Sequence, residues 1–222
     1  AILSALADGL ERRGPDGCNE YKSGRIAMVY RPFYTNLESR LELQPFVSDA
    51  GDALCWDGRL DNREELLHVL KDDLRDERTD AAIVMVAYSR WGIDFLPRLV
   101  GDFALSLWVP STRSLLPARD AIGPRTLYYH HNEQRIIWST ELASLLELAD
   151  VPPEINDEYV AGFLTSLPEP GLTPYRKINS VPPAHSVIMN GDELQVRRFW
   201  GLNPDHEIRY QSDAEYEEHF RH

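Results

Sequence analysis

The sequence predicts a layered α+β domain built on antiparallel sheets. Three observations predict it. Pairs of apolar segments are joined by short polar turns, which is how neighbouring antiparallel strands are connected. Capped helical patterns cluster between those pairs instead of alternating with single strands. The chain has 222 residues, 43% of them hydrophobic, enough for one large core without disulfide support.

Taken in order, the elements are these. Leu3, Leu6 and Leu10 recur at three- and four-residue steps, so the chain opens inside a helix. Residue 1 is Ala and no capping residue precedes Ile2; the expectation is that more chain lies ahead of Ala1. Arg13-Gly14-Pro15-Asp16-Gly17 stops that helix in a sharp turn. Residues 25–31 and 53–57 read as strands. Asn62-Arg63-Glu64-Glu65 matches a capping box and opens a helix to about Leu70. Thr79-Asp80 starts a second helix, whose apolar face includes Ile83, Val84, Val86, Ala87 and Trp91, with Gly92 at its stop.

The period then changes. Strands are expected at 103–109 and 115–119 around a turn at 110–113, and at 126–131 and 135–139 around Asn132-Glu133. A short amphipathic helix follows at 141–148, and Asn156 caps another that runs to about Leu164. Residues 186–189 and 194–199 form a hairpin about Asn190-Gly191-Asp192. The Pro-rich run 167–174 reads as a loop. Ser212-Asp213-Ala214-Glu215 opens a last helix, which is unfinished where the sequence stops at His222; a fragment is expected at this end too.

Composition excludes several classes. The net charge of -13 repels a phosphate backbone, so no nucleic-acid partner is expected; the excess acid serves solubility. No apolar run is long enough to span a membrane, and no basic-then-apolar start marks a signal peptide. Two cysteines, Cys18 and Cys55, make no disulfide framework, so a reduced, cytoplasmic setting is the default.

The residues limit the chemistry. The seven histidines are scattered, and His130-His131 would point to opposite faces of a strand, a poor chelate; no metal is expected. No Gly-rich stretch leads into Lys-Ser or Lys-Thr, so no phosphate loop is present. Cys18 and Cys55 read as small buried residues. Arg119-Asp120 reads as a paired charge in a tight turn. Asp57-Gly58-Arg59 ends a strand, where a glycine lets backbone N–H groups approach a ligand. Asp80, in the first turn of its helix, is either a cap or a partner for a substrate ammonium.

Six segments together carry a resemblance. They are Arg13-Gly14-Pro15-Asp16-Gly17, the stretches 56–62, 79–82, 101–108 and 118–123, and Pro182-Pro183-Ala184-His185. In this order they resemble the glutaminase half of asparagine synthetases, which are class II glutamine amidotransferases. The resemblance implies an N-terminal-nucleophile fold, a four-layer α-β-β-α sandwich of two antiparallel sheets. It divides the chain into an amidotransferase domain at 1–200 and, at 201–222, the start of a linker or helix leading to a C-terminal ATP-dependent synthetase domain. It implies an N-terminal Cys, activated by its own α-amine, that attacks the glutamine amide and releases ammonia. That Cys would lie upstream of Ala1. No cofactor is implied here; ATP and Mg belong to the synthetase domain. The implied partners are glutamine and that synthetase domain, with a homodimer left open.

The sequence also departs from the family. The Asn whose amide faces the oxyanion is Asp57 here; a carboxylate accepts hydrogen bonds and repels developing negative charge. The family's Glu is Arg59. The Arg that grips the glutamine carboxylate aligns with Pro32, with Arg31 next door on what is normally the opposite strand face. Gly58 and Asp80 are retained. The candidate site is therefore Asp57 and Gly58 at the oxyanion, with Asp80 and either Arg59 or Arg31 holding substrate. The rival reading keeps the fold as a silent scaffold on a β-lactam-synthetase-like or peptide-cyclising amide ligase. A third, a stand-alone binding module, requires the chain to stop near His222.

Overall fold

The computed structural model describes residues 2–35, 38–75, 78–148, 152–191, 193–205 and 207–221. Ala1, His222 and Asp192 of the expected Asn-Gly-Asp turn fall outside them.

A helix α1 (Ile2–Gly9) leads into the Arg13–Gly17 turn. The turn seats on the chain that follows the first hairpin. A Cβ at Gly14 would lie 2.1 Å from the Arg31 carbonyl oxygen, so no larger residue fits. Asp16 donates its N–H to the Pro32 carbonyl, and its carboxylate accepts from the Tyr34 N–H at 2.7 Å. The hairpin is β1 (Asn19–Ser23) and β2 (Ile26–Tyr30). After a 3-10 turn at Glu38–Leu41 come β3 (Phe46–Val47) and β4 (Ala53–Leu60). Two helices follow, α2 (Arg63–Val69) and α3 (Asp80–Trp91).

Thr79 caps α3 through its hydroxyl, which accepts from the Ala82 N–H. Gly92 closes α3 at φ 56°, a left-handed conformation that glycine adopts without a Cβ penalty. The capping box expected at Asn62 is not formed. The Asn62 side chain instead donates to the Arg98 carbonyl and accepts from the Val100 N–H, both at 3.0 Å. A tertiary loop outcompetes the local cap.

The hairpins β5 (Gly101–Val109) with β6 (Ser114–Arg119), and β7 (Tyr128–His131) with β8 (Ile136–Ser139), form as expected. They are followed by α4 (Leu142–Leu148) and α5 (Asp157–Leu164), the latter capped by the Asn156 side chain. The short β9 (Asn179–Ser180), the hairpin β10 (His185–Asn190) with β11 (Glu193–Arg198), and α6 (Asp213–Arg221) complete the chain.

Every paired strand is antiparallel. One sheet runs β11-β10-β6-β5-β4-β3. Its faces follow the period of two along each strand. Leu54, Trp56 and Leu60 of β4 and Phe103, Leu105 and Leu107 of β5 pack on α2 and α3, with Leu66, Ile83 and Val84. Ala53, Ala104, Leu115 and Met189 face the other way, onto Met28 of β2, Leu127 just before β7 and Tyr129 within it. Outside that second layer, α1 packs on β2 and α4, and Leu145 of α4 meets Ile137 and Ile178. The order is α-β-β-α. The second layer is in two pieces, β1-β2 and β8-β7-β9. Among the described residues β2 pairs only with β1 and β8 only with β7, and residues of both strands line the same cleft.

Arg119 and Asp120 do not form the expected pair with each other. The Arg119 guanidinium donates to the Ser180 hydroxyl and to the carbonyls of Val181 and Gly123. The Asp120 carboxylate accepts from the N–H groups of Phe103, Ile122 and Gly123. Both are buried and bonded mainly to backbone, with only the Arg119 Nε left without a partner among the described residues, so together they pin the loop 121–127 onto the sheet.

Candidate functional site

Between the two β layers lies a cleft of about 1860 Å3. Asp57, Gly58, Arg59, Asp80 and Arg31 all line it. The fold thus brings together residues from β4, the start of α3 and the end of β2. A shallower hollow by α6, with Arg209, Tyr210 and His219, is built from exposed residues and lies apart from them.

Asp57 sits on the inter-sheet side of β4, in phase with Ala53 and Cys55. Its Oδ1 accepts from Arg125 Nη1 at 2.6 Å. Burial raises the Asp57 carboxyl above its usual range, against the downward pull of Arg125 and then Arg13. Arg13 in turn is paired with Glu141. Asp57 therefore stands within a chain of alternating charges that runs Arg125, Asp57, Arg13 and Glu141.

Gly58 is required by the neighbouring strand. A Cβ there would lie 2.6 Å from the Asp102 carbonyl oxygen and 2.7 Å from Phe103 Cβ. Arg59 points outward and grips Asp61 with two bonds, at 2.6 and 3.1 Å, with Asp102 at 3.6 Å.

Asp80 has both oxygens engaged. Oδ2 accepts from the Leu60 N–H and Oδ1 from Arg63 Nε, each at 3.1 Å. Arg31 is engaged by backbone: its Nε donates to the Ala7 carbonyl at 2.9 Å and its Nη1 to the Gly17 carbonyl at 3.3 Å. Its side chain is 13% exposed. Arg31 thus ties α1 and the Arg13–Gly17 turn to the end of β2 while still lining the cleft.

Two neutral groups complete the walls. Burial pushes the Cys55 thiol up to about 12, despite a hydrogen bond with Ser106, so it is not a thiolate at neutral pH. Burial also raises the Tyr30 phenol, with Glu42 and Asp57 adding to it. Sequence reasoning missed Arg125, Arg63 and Arg13. Arg125 and Arg63 meet their carboxylates across 68 and 17 residues, so no local pattern marks them.

Comparison with known proteins fits this architecture. A family model described as a glutamine amidotransferase domain matches residues 1–200. The chain is 23% identical over 214 residues to asparagine synthetase [glutamine-hydrolyzing] 2 of Bacillus subtilis, covering 90% of this chain and 28% of that protein. It is 27% identical over 168 residues to amidase chry2 of Gibberella zeae, covering 73% of this chain and 24% of that one. The chain thus spans about a quarter of each of these relatives. Among solved structures, the glutamine phosphoribosylpyrophosphate amidotransferase of B. subtilis superposes with a TM-score of 0.57 at 19% identity, over 78% of this chain and 35% of that one. At that identity the likeness speaks to the fold, and the fold is the same sandwich. A family model that spans nine-tenths of the sequence settles membership: the chain belongs to the glutamine amidotransferase domain family, with asparagine synthetases among its relatives.

Proposed function

We propose that this domain hydrolyses the side-chain amide of glutamine and supplies ammonia to an ATP-dependent, asparagine synthetase-like amide ligase carried on the same polypeptide. The observation that carries this reading is the cleft between the two layers. It collects Asp57, Gly58 and Asp80 beneath β2 and β8, each paired along one edge only among the described residues. Such edges suit an extended segment that would pair with both and bring a nucleophile to Asp57 and Gly58. That segment would be residues ahead of Ala1, with an N-terminal Cys.

In this reading the Cys thiol gives its proton to the α-amine, the resulting thiolate attacks the amide carbon, and the α-ammonium hands that proton to the leaving nitrogen. Ammonia departs and a glutamyl thioester remains. Water adds to the thioester, the C–S bond breaks, and glutamate and the thiol are regenerated. Arg125, held on Asp57, would offset the carboxylate charge next to the developing oxyanion.

Specific observations favour a second reading, a silent scaffold. Asp57 puts a carboxylate where hydrolysis would need an oxyanion donor, Asp80 is already paired with Arg63, and Arg31 is bonded to backbone. One experiment separates the two. Glutamate release from saturating glutamine is measured with the full-length protein, alongside its ligase activity. Release that disappears on replacing an N-terminal Cys by Ala supports hydrolysis. Ligase activity with free ammonia or another amine, and no release from glutamine, supports the scaffold.

A further inference from the structure

The charge in the cleft runs opposite to that of the chain. Asp and Glu outnumber Lys and Arg by 36 to 23 overall. Among the described residues that line the cleft, nine are arginines and four are carboxylates; even with Arg59, which turns out to Asp61 and Asp102, left aside, arginines outnumber carboxylates two to one. Those four carboxylates are already engaged within the protein. Asp57 is held by Arg125, Glu141 by Arg13, Asp80 by Arg63, and Glu42 accepts from the Gln44 amide.

Asp80 matters most, because it is the cleft carboxylate expected to meet an α-ammonium and both its oxygens are engaged by the protein. Arg63 is anchored in that position by a second contact, from its Nη2 to the Arg78 carbonyl. The pair is shielded, with side chains 34% and 19% exposed. A substrate ammonium arriving here would have to displace a fixed guanidinium or lie beside it. Like charges side by side disfavour binding, the more so away from bulk water. An uncharged nitrogen pays neither cost, and a carboxylate on the same ligand gains from the surplus arginines. Phe33, Leu41 and Leu43 also line the cleft and are exposed, giving an apolar group on that nitrogen a surface to cover.

We propose that the cleft selects a net-anionic amide whose α-nitrogen is acylated, such as an N-acylglutamine, over free glutamine, and that Arg63 sets this preference. The inference rests on reading the cleft as an amide-substrate site, but not on hydrolysis taking place there.

The test is calorimetric titration of the full-length protein with L-glutamine and with N-acetyl-L-glutamine. The acetylated ligand is expected to bind at least about tenfold more tightly, equivalent to about 1.4 kcal/mol. Arg63→Met should abolish or reverse that ratio, and Arg63→Lys, which keeps the charge, should retain it. Tighter binding of free glutamine by the wild-type protein overturns the inference and leaves the amidase reading standing. An unchanged ratio in folded Arg63→Met removes Arg63 from its role. Binding of neither ligand overturns the amide-site reading and the inference together. Tight binding of the acetylated ligand without turnover supports the inference and counts against hydrolysis alone.

Discussion

Replacing Asp57 by Asn puts a hydrogen-bond donor where the cleft now presents an acceptor. The side chain keeps its length and its place on the inter-sheet side of β4. What changes is its charge, its donor count and its bond to Arg125. Loss of one preorganised oxyanion donor costs about a hundred- to a thousandfold in rate, or about 2.7–4 kcal/mol. Arg125 recovers part of that here through its positive charge. Asp57→Asn is therefore expected to raise kcat for glutamate release by about ten- to a hundredfold, while KM moves less, because the new donor acts on charge that develops only in the transition state. Stability should change little, since the Asp57–Arg125 pair is nearly half exposed and such pairs are worth about 1 kcal/mol or less.

The pH dependence gives an independent readout. Although its side chain is 45% exposed, desolvation by the surrounding cleft walls holds the Asp57 carboxyl above its ordinary 3.8, so the folded protein keeps that proton to higher pH than the unfolded chain does. The stability linked to Asp57 is then complete below about pH 3.8 and is lost as pH rises through the elevated folded value. An Asn does not titrate in that window. Urea denaturation across it should show the variant gaining on wild type as pH rises. If the wild type releases glutamate and Asp57→Asn leaves the rate unchanged, Asp57 does not face the oxyanion and the reasoning fails.

Three further outcomes follow from the geometry. Gly58→Ala drives a methyl group into the backbone of β5, so it should lower stability by about 1–3 kcal/mol, read as a lower urea midpoint at unchanged slope; full stability would mean β4 and β5 are not this close. Arg31→Met removes bonds to the Ala7 and Gly17 carbonyls and should cost about 1–3 kcal/mol with the KM for glutamine unmoved; a raised KM at full stability would make Arg31 a substrate ligand. Iodoacetamide at pH 8, followed by peptide mapping, should label exposed Cys18 rapidly and partly exposed Cys55 slowly, because desolvation pushes the Cys55 thiol up to about 12; equally rapid labelling of native Cys55 would refute the raised thiol.

Where structure followed from local chemistry, it was legible. Thr79 and Gly92 bound α3 because a hydroxyl can cap orphan N–H groups and a glycine can turn left-handed. The long hairpin strands were legible from their period of two. The strand β1 was not, because Asn19–Ser23 is polar and largely exposed, and only its pairing with β2 makes it a strand. Asn62 carried the right local signal, but its amide found better partners in the loop 98–100. The site divides in the same way. Motifs were enough to name residues that the fold gathers around one cleft, Asp57, Gly58, Arg59, Asp80 and Arg31. The partners of Asp57 and Asp80 were hidden, because a salt bridge between distant segments leaves no periodicity to read. Gly58 showed a true constraint with a different cause, the closeness of β5.

The cleft's electrostatics can be traced to the turn at Arg119-Asp120. A carboxylate on the inter-sheet face of β4 needs a cation, and nothing on β4 supplies one there, since Arg59 turns out to Asp61. Arg125 supplies it from a loop whose entry is fixed twice, by Asp120 collecting the N–H groups of Ile122 and Gly123 and by Arg119 holding the Gly123 carbonyl. Gly123 takes φ 70° there, and a Cβ on it would meet Arg119 and Pro183 at 2.9 Å. Backbone bonding therefore fixes where the 121–127 loop begins, the loop carries the guanidinium to Asp57, and the guanidinium decides what charge the cleft offers a ligand. A change at the turn should be felt at Asp57 although no side chain of the turn touches it, because the intervening loop has no independent core of its own.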